Sequence, residues 1–157
     1  ILLHLDEKWF EGYYYKDFNN MNLNFKNFDF LIKTILNKFK NDIVITSGKV
    51  DVKQFKKIKN RYFVKHYKNI YKCNKFKRKI VFVDNTDFRD LEQIVNLCTK
   101  VICCEGAISH VSHALNKKTY ALINNFKTAK FWTKHMTNLK LLKRDNINKI
   151  CKQISDI

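Results

Sequence analysis

Proline is absent from this 157-residue chain, and glycine occurs only three times. No Pro/Gly/Ser-rich linker divides the sequence, so we expect a single domain with its own hydrophobic core. No apolar run approaches the roughly 20 residues that a membrane-spanning helix needs. The 45% of hydrophobic residues is typical of a globular protein and excludes a disordered chain.

The start of the chain lacks both a signal-peptide pattern and a dinucleotide-binding glycine motif. It contains no charged leader followed by a small-residue cleavage site, so we expect no signal peptide. The chain opens directly on an apolar strand, residues 1–5, and we expect it to be the second half of a longer protein. No GxGxxG follows that strand, which argues against a Rossmann dehydrogenase.

Cysteine is present in an odd number and without any CxxC pair. This pattern predicts reduced, buried thiols, as in a cytosolic protein. Cys103 and Cys104 are neighbours on a predicted strand, so they should face opposite sides of a sheet. A zinc site that joins one of them to His110 and His113 matches no standard ligand spacing, and we expect no metal and no other cofactor.

Basic residues exceed acidic ones by 17, which points to an anionic partner such as a nucleic acid. The excess is mostly lysine, spread along the chain beside abundant Asn, Ile and Phe, as a very AT-rich genome would produce. The densest run, residues 53–79, interleaves aromatic and basic residues like a phosphate-binding surface. We favour the other interpretation, a solvated helix face whose aromatic residues point into the core.

Short apolar runs alternate with runs of helical period along the chain. The predicted strands are residues 1–5, 42–46, 80–83, 101–104, 119–123 and 139–142. The predicted helices are residues 28–39, 52–59, 90–98, 108–115 and 147–154, and residues 11–27 are predicted to be a long loop. Because the strands are almost continuously apolar, we expect an α/β fold with a Rossmann-like, doubly wound parallel sheet.

The stretch KVICCEGAISHVSHAL, residues 100–115, predicts a strand, a glycine turn and a helix. Ligands of open α/β sheets bind beyond the carboxyl ends of the strands, near a topological switch point. Gly106 lets a ligand approach the backbone, and the helix N-terminus behind it favours a phosphate. Ser109 and His110 can donate hydrogen bonds to it. The alternative is a purely structural turn, with Ser109 capping the helix.

The segment LEQIVNLCTKVICCEGAISHVSHALNKKTYALI, residues 91–123, resembles the C-terminal half of heptosyltransferase-like enzymes (glycosyltransferase family 9) and related GT-B glycosyltransferases. The shared features are a helix, a strand ending in Glu105-Gly106, a following helix with a histidine, and a further strand. Ser109 or His110 takes the position of the family histidine, and Asn116 stands where the family has glycine. HLDEKWF (residues 4–10) and IVITSG (residues 43–48) resemble the first two strands of that domain and their tips.

The resemblance implies that residues 1–157 are one Rossmann-like domain, half of a GT-B architecture, that binds a nucleotide-sugar donor. The donor diphosphate would lie at the helix after Gly106, with Lys8 as an added positive charge. Glu105 would accept from sugar or ribose hydroxyls, and Ser47 and Gly48 would border the base. The implied donor-site residues are Lys8, Ser47, Gly48, Glu105, Gly106, Ala107, Ser109 and His110.

The resemblance also implies a cytoplasmic enzyme that transfers the sugar to a cell-envelope glycan or glycolipid, with possible peripheral contact to an anionic membrane at its inner face. The family's catalytic base comes from the N-terminal domain, so we assign none and expect no turnover by this chain alone. Two other classes stay open. One is a nucleic-acid-binding module, and the other is a non-catalytic Rossmann-like interaction module.

Overall fold

A computed structural model describes residues 1–10 and 21–157. The strands are β1 (Leu2–Leu5), β2 (Ile43–Ser47), β3 (Val64–Tyr67), β4 (Ile70–Cys73), β5 (Ile80–Val83), β6 (Lys100–Cys104), β7 (Lys118–Ile123) and β8 (Leu139–Lys143). The helices are α1 (Phe25–Phe39), α2 (Lys53–Tyr62), α3 (Phe88–Leu97), α4 (Ala107–Ala114), α5 (Phe126–Trp132) and α6 (Ile147–Ser155), and a 3-10 turn spans Glu7–Trp9. Of the predicted loop at residues 11–27, residues 11–20 lie outside the described part.

The strands form one sheet in the order β3-β4-β5-β2-β1-β6-β7-β8. Six of them, β5-β2-β1-β6-β7-β8, are parallel and follow the doubly wound order of a Rossmann-like fold. The predicted α/β fold with a parallel sheet is therefore confirmed. The chain leaves β1 in one direction and later returns beside it as β6, so the topological switch point lies between these two strands.

Two hydrophobic clusters cover the two faces of the sheet. The larger one joins α1, α2 and α6 to the sheet, and the smaller one joins α3 and α4 to its other face. Cys104 belongs to the larger cluster and Cys103 to the smaller one, so the predicted opposite orientation of these neighbours is confirmed. All five cysteines are buried and unpaired.

Four helices begin at a side chain that caps their first main-chain N–H groups. Asn24, Asp87, Asn125 and Asn146 accept such bonds at the starts of α1, α3, α5 and α6. Asn and Asp are preferred at this position because their oxygens replace the missing carbonyls of a preceding turn. Apolar periodicity had predicted α1, α3 and α6, and their observed starts lie within about three residues of the predicted ones.

The run at residues 53–79 is helical only as far as Tyr62, so the helix-face interpretation was wrong for the rest of it. The predicted inward orientation of its aromatic residues is confirmed for Tyr62 and Phe63, which are buried, and for Tyr71 and Phe76, which pack against the core, whereas Tyr67 is exposed. The chain then forms an antiparallel hairpin, β3–β4, at the edge of the sheet, and every residue of β3 is exposed. Helix α5 was not predicted either.

Within the described ranges, four residues other than glycine have a left-handed backbone: Lys40, Lys68, Asn85 and Asn116. Asn116 follows α4 with φ 54°, and its main-chain N–H donates to the His113 carbonyl at 2.9 Å. The Lys117 N–H donates to the Ser112 carbonyl at 2.8 Å. Helices commonly end in this way at a glycine, and here Asn116 adopts the left-handed conformation instead.

Candidate functional site

The switch point brings together the carboxyl ends of β1 and β6. After β1 the chain makes the 3-10 turn, capped by Asp6, whose carboxylate accepts from the Lys8 N–H at 3.1 Å. After β6 it passes through Glu105 and Gly106 into α4. The Lys8 ammonium spans the two ends and donates to the Glu105 carbonyl oxygen at 2.5 Å. Two predicted site segments that are far apart in sequence are therefore in direct contact.

Gly106 leaves room for this contact. A Cβ atom at this position would lie 3.2 Å from the Lys8 ammonium nitrogen, so the amine would have to shift by a few tenths of an ångström. The backbone φ of 159° at Gly106 also disfavours any residue with a side chain. The single glycine of the motif serves the approach of a cation to the backbone, which the turn prediction did not include.

Ser109 turns back toward the start of α4. Its hydroxyl donates to the Gly106 carbonyl oxygen at 2.6 Å, and the Gly106 N–H points at the hydroxyl oxygen at 3.5 Å. Ser109 is buried, whereas Ala107 and His110 are exposed. The capping interpretation of Ser109 thus describes its contacts in this structure, and the exposed His110 imidazole is the more accessible donor.

A cavity of about 380 Å³ opens beside Gly106. One wall comes from Glu105, Gly106, Ser109 and His110. The other wall comes from the segment after β7, residues Asn124, Asn125, Thr128, Ala129, Trp132 and Thr133. Sequence reasoning did not assign this second wall to the site. This wall follows the carboxyl end of β7, the strand next to β6. Its place at a strand end is the feature of the sequence that could have indicated a ligand site.

Ser47 and Gly48 lie on the other side of the β1 turn. They line a separate cavity of about 250 Å³, together with Lys59 and Asp84, which form an ion pair. A Cβ on Gly48 would lie 3.1 Å from the Asp6 Cβ and 3.2 Å from the Asp6 Cα. Gly48 therefore lets β2 pack closely against the β1 turn. The structure does not bring Ser47 and Gly48 into the cavity beside Gly106.

The β1 turn carries unusual electrostatics. Asp6 is buried, and burial raises the pKa of its carboxyl to about 6, although the Lys8 ammonium, 3.7 Å from Oδ2, acts in the opposite direction. Burial lowers the pKa of His4 to about 4, with the Lys8 charge as a smaller cause, and its Nδ1 lies 2.9 Å from the Thr46 hydroxyl. The Arg144 guanidinium donates to the Lys8 carbonyl and so ties the segment after β8 to this turn.

Three histidine rings group beside the cavity. The His135 ring centroid lies 6.3 Å from that of His110 and 5.5 Å from that of His113. Cys103 and Cys104, the other partners in the zinc hypothesis, are fully buried in the sheet. Within residues 1–10 and 21–157, no group of three or more His, Cys, Asp and Glu side chains could hold a metal ion.

No helix in the described residues is both long and apolar enough to cross a bilayer. Compared with known proteins, the chain matches no protein-family model, no curated protein and no solved structure.

Proposed function

We propose that this chain is the donor-binding domain of a GT-B glycosyltransferase, similar to the heptosyltransferase-like family. It would bind a nucleotide sugar and supply it for transfer to a cell-envelope glycan or glycolipid. The observation that carries the proposal is the cavity between the segments that follow β6 and β7, with Gly106 and the start of α4 in one wall. The Lys8 ammonium contacts the main-chain carbonyl of Glu105, a residue of that wall. The cavity volume is within the range of small-ligand sites, about 300–1,000 Å³.

The donor diphosphate would lie against the first turn of α4. The N-terminus of a helix presents main-chain N–H groups and a partial positive charge, both of which favour an anion. The exposed His110 imidazole would donate to the same phosphates. Together these groups would stabilise the charge that grows on the leaving nucleoside diphosphate as the sugar departs.

Lys8 would have two roles in succession. Its ammonium donates to the Glu105 carbonyl, and a diphosphate at the start of α4 would compete for it as a stronger, charged acceptor. The Glu105 carboxylate lines the cavity and would accept from sugar or ribose hydroxyls. Trp132 lies on the opposite wall, where its ring could cover the base or the sugar.

The acceptor's proton must pass to a base during the transfer, and the resembling family takes that base from its N-terminal domain. We assign no base among these residues. The chain by itself would bind the donor without transferring sugar, and turnover by the isolated 157 residues would contradict this part of the proposal.

Calorimetric titration with ADP, UDP and GDP tests the proposal directly. His110→Ala should weaken binding of one nucleotide about tenfold without changing the melting temperature, because the side chain is exposed. The matched control is His66→Ala, an exposed histidine on the edge strand β3, which should leave binding unchanged. A folded wild-type chain that binds none of the three nucleotides would favour the non-catalytic interaction module instead.

Nucleic-acid binding is the second candidate function. Residues 53–79 contain no acidic residue, and their basic side chains include Lys65 and Lys68 around the exposed Tyr67 of the edge hairpin. Such a surface would bind single strands through phosphates and stacking, with a steep dependence on salt. Binding of an oligonucleotide that Lys65→Gln, Lys68→Gln weakens, without competition by nucleoside diphosphates, would support it.

A further inference from the structure

The outward side of α5 combines lysines with exposed aromatic rings. Lys127, Lys130 and Phe131 lie on one side of α5 at helical spacing, and the exposed Lys134 stands in the turn just after the helix ends. We call these four residues the α5 face. The Phe131 side chain is 76% exposed. Trp132, 65% exposed, meets it edge-on with ring centroids 5.5 Å apart. The two adjacent exposed rings form an apolar patch, and such patches with polar or charged residues around them can mark interaction sites.

The stretch of chain that contains the α5 face carries charge of one sign. Residues 106–144 contain no aspartate and no glutamate. The three lysines of the face are therefore surrounded, along the chain, by neutral and basic residues only. A surface that combines exposed aromatic rings with several lysines is complementary to a partner that is apolar beneath an anionic layer.

We infer that the α5 face docks on the surface of an anionic phospholipid bilayer. Phe131 and Trp132 would insert at the level of the headgroups, where aromatic residues are enriched. Lys127, Lys130 and Lys134 would remain among the phosphates, and each would strengthen binding about fivefold. The inference does not depend on a nucleotide sugar, because Phe131 and the three lysines do not line the cavity, although Trp132 does.

The geometry favours a bilayer over the other partners. A single strand of nucleic acid would suit the aromatic-basic hairpin at the far edge of the sheet better, because that surface is longer and carries more charge. A second copy of the chain would place like charges against each other across a two-fold contact. An anionic bilayer offers an apolar interior for the rings and phosphates for the lysines in one surface.

Tryptophan fluorescence offers a direct test, because the chain has only two tryptophans. Trp9 is fully buried and its emission should not respond, whereas Trp132 is exposed. The experiment mixes the full chain with vesicles of phosphatidylcholine containing phosphatidylglycerol, with pure phosphatidylcholine vesicles as the neutral comparison. We expect a blue shift and quenching by brominated acyl chains with the anionic vesicles only.

Two variants separate the apolar and the charged contributions in a vesicle co-sedimentation assay. Phe131→Ser should weaken binding about tenfold, and replacement of the three lysines by glutamine about a hundredfold. The matched control is Phe88→Ser, which removes an exposed phenylalanine from α3, and it should change nothing. Phe131 does not line the cavity, so Phe131→Ser should leave nucleotide titrations unchanged, which separates this test from that of the proposed function.

Three results would overturn the inference. The first is an absence of binding to anionic vesicles. The second is binding that Phe131→Ser does not weaken, or that inorganic phosphate abolishes, because either would indicate a general attraction of cations to phosphate. The third is a wild-type dimer in sedimentation velocity that Phe131→Ser converts to a monomer, because the face would then belong to a second copy of the chain.

Discussion

The Lys8 ammonium donates to the main-chain carbonyl oxygen of Glu105 and thereby joins the two strand ends at the switch point. The residues are 97 positions apart, and Gly106 leaves room beside the amine because it has no side chain. This relationship can be tested with stability measurements alone, before any ligand is known.

Gly106→Ala should cost about 1 kcal/mol of unfolding free energy, because the new methyl group crowds the Lys8 amine and the φ of 159° strains a residue with a side chain. Lys8→Met should cost a similar amount, and the double variant should cost less than the sum of the two. Urea unfolding of the four proteins completes the cycle. Gly48→Ala serves as the control, since its Cβ would meet the Asp6 backbone and Lys8→Met should not relieve it. Additive losses at positions 8 and 106 would contradict the contact.

Asp6→Asn should stabilise the protein near neutral pH by about 3 kcal/mol, with the gain fading toward pH 4. The folded-state pKa of Asp6, about 6, is above its ordinary value of 3.8. The ionised carboxyl is therefore unfavourable in the folded state above pH 6, and protonation relieves this as the pH falls. Urea unfolding of both proteins across this range measures the difference. A gain that does not change with pH would show that the carboxyl is not the cause.

His4→Gln should remove a loss of stability that the wild type suffers in acid. The folded-state pKa of His4, about 4, is below its ordinary value of 6.5, so the unfolded chain binds the proton first as the pH falls. The wild type should lose about 3 kcal/mol from this group between pH 6.5 and pH 4. Over most of that window Asp6 acts in the opposite direction, so the two effects largely cancel. In an Asp6→Asn background, adding His4→Gln should flatten the pH dependence, and a curve that remained steep would assign it to other groups.

The five cysteines should resist alkylation in the folded protein and react together when it unfolds. All are buried, and burial raises the pKa of each thiol, most strongly those of Cys103 and Cys104 in β6. Mass spectrometry after iodoacetamide treatment, with and without urea, counts the modified thiols. Rapid labelling of one cysteine in native conditions would locate a region that opens on its own.

The elements predicted best are those in which apolar side chains are buried and polar residues mark the ends. The strand at residues 80–83 was predicted at its observed bounds because it is apolar and punctuated on both sides. The β3–β4 hairpin was not predicted, because Val64 and its neighbours in β3 are all exposed and show no alternation of buried and exposed side chains. Helix α5 was not predicted, because the large side chains of Phe131 and Trp132 are exposed and obscure the helical spacing of its buried residues.

The candidate site was predictable on one side only. The start of α4 was indicated by Gly106 and by its place after a buried strand. The second wall, with Thr128 and Trp132, depends on which strand lies next to β6, and local patterns do not carry that information. Ser47 and Gly48 belong to a different cavity for the same reason, because the β1 turn lies between the two strand ends.

The four left-handed positions have a consequence for how this chain could change. They are held by Lys40, Lys68, Asn85 and Asn116, and each side chain there is strained by up to about 1 kcal/mol relative to glycine. Asparagine and lysine codons are richer in A and T than glycine codons. No single nucleotide change converts an asparagine or a lysine codon into a glycine codon. Selection acting one mutation at a time therefore cannot easily reach these stabilising glycines, whereas a designer can introduce them directly.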